Sequence, residues 1–364
     1  MPRLTSLIAA ALVALPLHAE ILTDDQMDKL ASDLRTSTGA PAIIIASANA
    51  QGRAVGVSGE RAAGSGVAAT TKDHWHVASN TKAMTATLIA RLAEQGMISW
   101  DDTVGGVLGS QIPEIDTAYA QATYADLLAH RTGLPANIGL LKRWPLMGLD
   151  ATRDTPADRI AYAKTALSTS PDSSAPHPFK YSNAAYVVVG AMLEVTTGTS
   201  WEDLITTHVF EPLGMATPGF GPPGSIDEID QPRGHKSKLL GGWSPQAPEA
   251  KADNIPAMSP AGRVNITMDD FLSFLQAHAA RDPEFLSPDS WARLHQPKEG
   301  EDYVAGWVVA GDTITHNGSN TLWYSHGGVN LATGKVAAIV ANAEDQDAID
   351  KPVAAQLKAL LSAP

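Results

Sequence analysis

Hydrophobic and polar positions change period several times along the chain, and those changes outline its elements. QMDKLASDLRTST carries apolar side chains at helical spacing behind Thr23-Asp24-Asp25, which predicts a capped helix ending near Gly39. PAIIIASA and RAVGVSG then read as two strands, with Gln51-Gly52 as the turn between them. The Gly- and Ala-rich stretch 61–70 reads as a loop. SNTKAMTATLIARLAE, from Ser79 to Glu94, is a good helix former, and Gly96 supplies its stop. Thr123-x-x-Asp126 opens YADLLAH, Asn183 is placed to cap AAYVVVGAMLEVTTG, and Ser200-x-x-Asp203 opens WEDLITTHVF. Residues 217–262 turn Pro- and Gly-rich and predict a long irregular connection, after which Thr267-x-x-Asp270 starts FLSFLQAHAA. From Tyr303 the period shortens. YVAGWVVAGD, NTLWYSHGGV and GKVAAIVANA predict an antiparallel meander, and DAIDKPVAAQLKALL a closing helix. Strands at both ends with helices between them predict an α/β fold of the α+β kind. One antiparallel sheet would be built from both termini, flanked by helices and joined by a mainly helical lobe.

The first twenty residues follow a different logic. Arg3 precedes an uncharged run over residues 4–17, and Leu17-His18-Ala19 offers a small residue before a cut. That is the layout of a secretory leader, and the run is shorter than the ~20 residues a membrane-spanning helix needs. The expected organisation is a signal peptide over 1–19 and a single catalytic unit over 20–364. Within that unit, an α/β lobe would take in about 20–78 and 255–364, and a helical lobe about 79–254. The mature chain is expected to be exported, to a periplasm or the medium, without stable membrane insertion.

Charge and composition narrow the chemistry. With 26 Lys+Arg against 39 Asp+Glu, the formal net charge is −13, which argues against nucleic acid and anionic membrane surfaces as partners. The absence of cysteine removes disulfides, thiolate nucleophiles and Cys-based metal sites together. Any catalysis falls to Ser, His, Lys, Tyr and carboxylates.

Three short motifs fit that restriction. Ser79-Asn80-Thr81-Lys82 places a serine and a lysine on one face of a helix start. A lysine of lowered pKa can take the serine's proton, and the helix start favours developing negative charge. Standing alone, the same four residues are also an ordinary capping turn. Tyr181-Ser182-Asn183 lies on the turn before an apolar helix, so a phenol and an amide at i and i+2 can face one cleft. A phenol near a lysine can relay a proton, and an amide can orient the lysine and hold a substrate carbonyl. His316-Asn317-Gly318-Ser319 falls between two strand-like runs, where a glycine allows close approach of substrate to backbone. His326-Gly327-Gly328 and Lys298-Glu299-Gly300 fit the same basic-x-Gly pattern. His316 is preferred because HNGSN runs directly into TLWYS.

In this order, SNTK, YSN and HNG resemble the serine β-lactamase and penicillin-binding protein superfamily. They are most similar to its branch of class C β-lactamases, esterases and D-alanyl-D-alanine carboxypeptidases. ADLLAHRTGLP, the stretch from Tyr181 to Met215, and SPAGRVNITMDDFLSFL extend the resemblance over nearly all of the mature chain. The resemblance implies a β-lactamase/transpeptidase-like fold, no cofactor and no metal. It makes Ser79 the acylated nucleophile and Lys82 with Tyr181 the proton-transfer pair. Asn183, His316, Gly318 and Ser319 would bind substrate, with the amides of Ser79 and Ser319 as the oxyanion hole. Class C β-lactamases carry lysine in place of His316, a fixed cation that suits a β-lactam carboxylate, whereas histidine is mostly neutral near pH 7. Arg263 also stands where the family more often has glycine, either as a cation near the cleft or as a solvated side chain. The implied activity is acyl-enzyme hydrolysis of small esters or D-amino-acid peptides ahead of β-lactams, with a class C-type β-lactamase as the alternative.

Rival readings remain. No G-x-S-x-G supports an α/β-hydrolase, and His74-x-His76 is the only close histidine pair, with no H-E-x-x-H for a metallohydrolase. A non-catalytic sensor or binding protein on the same fold is the reading from another class.

Overall fold

The computed structural model describes residues 22–146, 155–171 and 178–362, so the expected leader at 1–19 lies outside the described residues. Helix α1 (Asp24–Thr38) begins at a capping box of Thr23 and Gln26 and ends at Gly39, whose φ of 68° closes the last turn. It leads into the hairpin of β1 (Ala42–Asn49) and β2 (Gly52–Gly59). Ile43 and Ile45 pack into a core layer with Met27, Ala31 and Leu34 of α1. Ile44 and Ala46 point into the main core on the other side. Both faces of β1 are covered, which is why its sequence is a continuous apolar run and not an alternation.

Strand β3 (Trp75–His76) follows, and a tight turn over Ala78–Asn80 delivers the chain into α2 (Thr81–Glu94). Nearly every residue of α2 is buried, as expected of a helix running through the middle of a domain. Helices α3 (Thr155–Leu167) and α4 (Asn183–Thr197) pack against each other. The irregular connection carries short strands, β4 (Gly219–Phe220) and the hairpin of β5 (His235–Ser237) and β6 (Trp243–Pro245), and short helical turns at Ala250–Ala252, Pro256–Met258 and Ser259–Gly262. After it, β7 (Val264–Ile266) joins β3 and β4 in a small sheet. Helices α5 (Met268–Ala280) and α6 (Pro288–His295) then lead to β8 (Tyr303–Val304) and β9 (Trp307–Ala310). The meander closes with β10 (Thr313–Ser319), β11 (Tyr324–Asn330), β12 (Lys335–Ala341) and helix α7 (Lys351–Ser362). The main sheet is antiparallel in the order β2-β1-β12-β11-β10-β9-β8, with Ile44 opposite Val340 where the two ends of the chain meet. No helix among the described residues is long and apolar enough to cross a membrane.

Two local readings change. The residues expected to separate two strands, His316 to Ser319, form the end of β10, with His316 opposite Gly327, and the turn comes at 320–323. Ile314, His316 and Gly318 alternate into the interior, so the strand period is present, but it is carried by residues facing a cleft. Ser182, not Asn183, caps α4: its hydroxyl accepts the Ala185 N–H. Asn183 is the first helical residue, and its side chain is released for another contact.

Candidate active site

The turn at Ala78–Asn80 sets the first wall of the cleft. Asn80 donates to Val77 O at 3.0 Å and to Ser325 Oγ at 2.8 Å, and Thr81 Oγ1 donates to Ala78 O at 2.7 Å. These bonds hold the start of α2 against β11. Lys82, 0% exposed, lies beneath the turn with Nζ 3.1 Å from Ser79 Oγ, 2.7 Å from Asn183 Oδ1 and 2.5 Å from Ala261 O. Asn183 is itself oriented by donating from Nδ2 to Asn137 Oδ1 at 3.3 Å. Burial holds the Lys82 ammonium well below its ordinary pKa. A neutral amine here spends two N–H bonds on the Asn183 and Ala261 carbonyls and turns its lone pair to the Ser79 hydroxyl. That arrangement can accept the serine proton.

Tyr181 closes the second wall. Its ring lies 4.8 Å from Lys82 Nζ, and its phenol hydrogen-bonds with Ser79. Burial raises the phenol pKa, with the Ser79 contact working against it, so Tyr181 keeps its proton at neutral pH.

Strand β10 is the third wall. Gly318 packs so closely on the turn carrying Ser79 that a Cβ there would sit 2.4 Å from Ser79 N. The glycine therefore admits the Ser79 backbone itself, a more immediate reason than room for substrate. His316 is 3% exposed. Its Nδ1–H donates to Asn317 O at 2.5 Å, leaving Nε2 as the acceptor for Tyr303 O–H at 3.2 Å. Tyr303 in turn accepts from His130 Nε2–H at 3.2 Å, because His130 Nδ1 is filled by the Ser182 N–H at 3.1 Å. The series Ser182, His130, Tyr303, His316 thus has one consistent direction and fixes both imidazoles as neutral. Burial above all draws the His316 pKa down to about 3, and His130 also lies well below its usual value.

Ser79, Tyr181, Asn183, His316, Gly318 and Ser319 all line one cavity of about 390 Å³, with Phe179, Tyr303, Val308 and Asn317 completing it. Lys82 lies directly behind Ser79. Every candidate residue of the three motifs is brought together, and His326 and Lys298 are not among the lining residues. The size suits a small organic molecule. Sequence reasoning missed His130 and Tyr303. His130 lies inside ADLLAHRTGLP, a stretch already singled out, but its partner is 173 residues away. Arg263 is neither solvated nor a free cation in the cleft. It is 4% exposed and donates from Nε to Asp253 Oδ2 at 3.2 Å. The two histidines of His74-x-His76 go to different partners, Asn265 and Asp253.

Comparison with known proteins agrees with this geometry. Residues 27–360 match the Beta-lactamase family model. Penicillin-binding protein 4 of Amycolatopsis lactamdurans is 27% identical over 77% of this chain and 74% of its own. The D-alanyl-D-alanine-carboxypeptidase/endopeptidase AmpH of Escherichia coli K12 is 26% identical over 80% and 69%. Two other relatives are matched over only about half of their length. Among solved structures, the D-amino acid amidase of Ochrobactrum anthropi SV3 complexed with D-phenylalanine superimposes with a TM-score of 0.71. It is 20% identical, with 92% of this chain and 98% of that one covered. The chain belongs to the Beta-lactamase family and is a serine hydrolase of that fold.

Proposed function

We propose that the protein is an exported serine hydrolase that acts through an acyl-enzyme on small esters or on D-amino-acid amides and peptides. Residues 20–364 would form one catalytic unit once the leader at 1–19 is removed. Ser79 Oγ attacks the carbonyl carbon as neutral Lys82 takes its proton, and the C=O electron pair moves onto oxygen. The amides of Ser79 and Ser319 stabilise that oxyanion. The intermediate collapses with expulsion of the alcohol or amine, protonated by the Tyr181 phenol, which regains its proton from the Lys82 ammonium. Water then adds to the acyl carbon as its proton passes to neutral Lys82, directly or relayed through the Tyr181 phenol; the tetrahedral intermediate collapses, the proton returns from Lys82 to Ser79 Oγ, and the free acid leaves.

The observation that carries the substrate reading is the state of His316. Its Nε2 is an acceptor already occupied by Tyr303. It brings neither positive charge nor a free N–H to the place where a β-lactam carboxylate would seek one. The similarity of fold to a D-amino acid amidase supports the same choice. One assay panel tests it: a p-nitrophenyl short-chain ester, a D-amino-acid amide, a D-Ala-D-Ala peptide and a chromogenic cephalosporin. Turnover of ester or D-amino-acid substrates above the cephalosporin is expected. Cephalosporin hydrolysis far exceeding the others would overturn the assignment.

A further inference from the structure

Asp253 sits in the irregular connection, far in sequence from every motif, yet its side chain is 1% exposed and lies between two of them. Oδ2 accepts from His76 Nε2–H at 2.9 Å and from Arg263 Nε–H at 3.2 Å. Oδ1 accepts from Asn320 Nδ2–H at 2.8 Å and from the Asn254 amide at 2.7 Å. His76 can donate from Nε2 because its Nδ1 accepts the Ala78 N–H at 3.1 Å. Ala78 precedes Ser79 directly and is held at φ +46°, an uncommon conformation for a residue with a Cβ. At the other end Asn320 follows Ser319 directly, and its Oδ1 accepts from Leu322 N at 3.1 Å. That turn also holds a left-handed non-glycine residue, Thr321 at φ +74°. Such conformations persist only where their surroundings over-determine them.

We infer that Asp253 is a positioning residue for the oxyanion site, tying the turn before Ser79 and the turn after Ser319 to one buried carboxylate. The two amides assigned to the oxyanion come from segments of chain more than 200 residues apart, and their separation must be held closely for both to reach one oxygen. Through His76 the carboxylate grips the Ala78 amide, and through Asn320 it grips the end of β10. Arg263 balances its charge from below, which gives a role to the residue that stands where the family more often has glycine. Burial on its own would raise the Asp253 pKa. His76, Arg263 and Asn320 reverse that effect and hold the carboxyl below its ordinary range, so the group is anionic and able to accept all four bonds.

The inference rests on the acyl-enzyme reading above, and one set of measurements separates the two. Asp253→Asn, Asn320→Ala and the double variant are compared with wild type in ester kcat and KM, in affinity for phenylboronic acid, and in thermal melting. Phenylboronic acid becomes tetrahedral on a serine and places an oxygen where the oxyanion forms. Asp253→Asn is expected to lower kcat by about 100-fold with KM little changed, and to weaken boronate binding in parallel. Asn320→Ala should cost about fivefold, and the double variant no more than Asp253→Asn alone, since both act through one group. A folded Asp253→Asn protein with wild-type kcat and boronate affinity would overturn the inference, as would a double variant that loses the product of the two single effects. Should Asp253→Asn melt below the assay temperature, Asn320→Ala decides, and unchanged kcat and boronate affinity in it would be the contradicting result. Wild-type protein that neither turns over ester nor binds boronate would bring down the acyl-enzyme reading itself.

Discussion

Lys82 on the helical wall of the cleft and His316 on the strand wall are 0% and 3% exposed, and burial weakens the hold of both on a proton. Their surroundings then part company. Lys82 has two carbonyl acceptors and one direction left open, toward Ser79 Oγ. His316 has both ring nitrogens engaged, one by Asn317 O and the other by Tyr303. Burial supplies a neutral base in each case, but only a nitrogen with an open position beside the reacting atom can move a proton. The helical wall holds the groups able to do chemistry, and the strand wall sets charge and shape. The same contrast explains why lysine and histidine in the third motif are not equivalent: the imidazole here is a neutral, fully bonded surface.

The largest effects should come from the helical wall. Lys82→Ala is expected to cut acylation by about 10³-fold or more and Tyr181→Phe by about 10²-fold, as burst kinetics with a p-nitrophenyl ester would record. A near wild-type burst in either variant would remove that residue from the proton path and break the comparison. Smaller effects belong to the strand wall. Tyr303→Phe deletes the donor to His316 Nε2, and a loss of about fivefold in kcat/KM is expected, the scale of one hydrogen bond. Its clearer signature is in pH. In the wild type His316, drawn down to about 3, stays neutral from pH 5 to 8, so it should add no inflection of its own near 6.5 to the kcat/KM profile. Without the Tyr303 proton to accept, Nε2 becomes more basic, His316 protonates at a higher pH, and an acidic limb should move up toward neutrality. A His316 imidazole signal that titrates near 6.5 in wild-type NMR spectra would contradict the neutral, tautomer-locked imidazole.

How much of this was legible in the chain follows from how far each interaction reaches. The caps of α1 and α5, the S-x-x-K face of α2 and the Tyr181/Asn183 pair are local signals, written within four residues, and each is found where the pattern put it. Both ends of the chain read as apolar strands, and they meet as β1 and β12. Strand β10 was obscured because its inward positions near the end are His316 and Gly318, residues chosen for the cleft and for contact with Ser79, not for strand propensity. The N-cap of α4 was displaced by one residue because Ser182 and Asn183 are both good caps, and the Asn183 amide is claimed by Lys82, 101 residues away, and by Asn137, 46 residues away. His130, Tyr303 and Asp253 had no local signature at all. Tyr303 and Asp253 have nearer partners in His316 and Arg263, 13 and 10 residues on, but the contacts that tie all three to the cleft walls include partners 52 to 177 residues distant, which only the folded chain brings into reach.

The most direct test of the account is the mass of the protein caught during turnover. Wild type mixed with a p-nitrophenyl ester and quenched in acid at short times should carry one added acyl group, and proteolysis should place it on the peptide containing Ser79. The Ser79→Ala variant should carry none and release no p-nitrophenol above background. An adduct on another residue, or turnover that survives loss of the Ser79 hydroxyl, would contradict the acyl-enzyme mechanism.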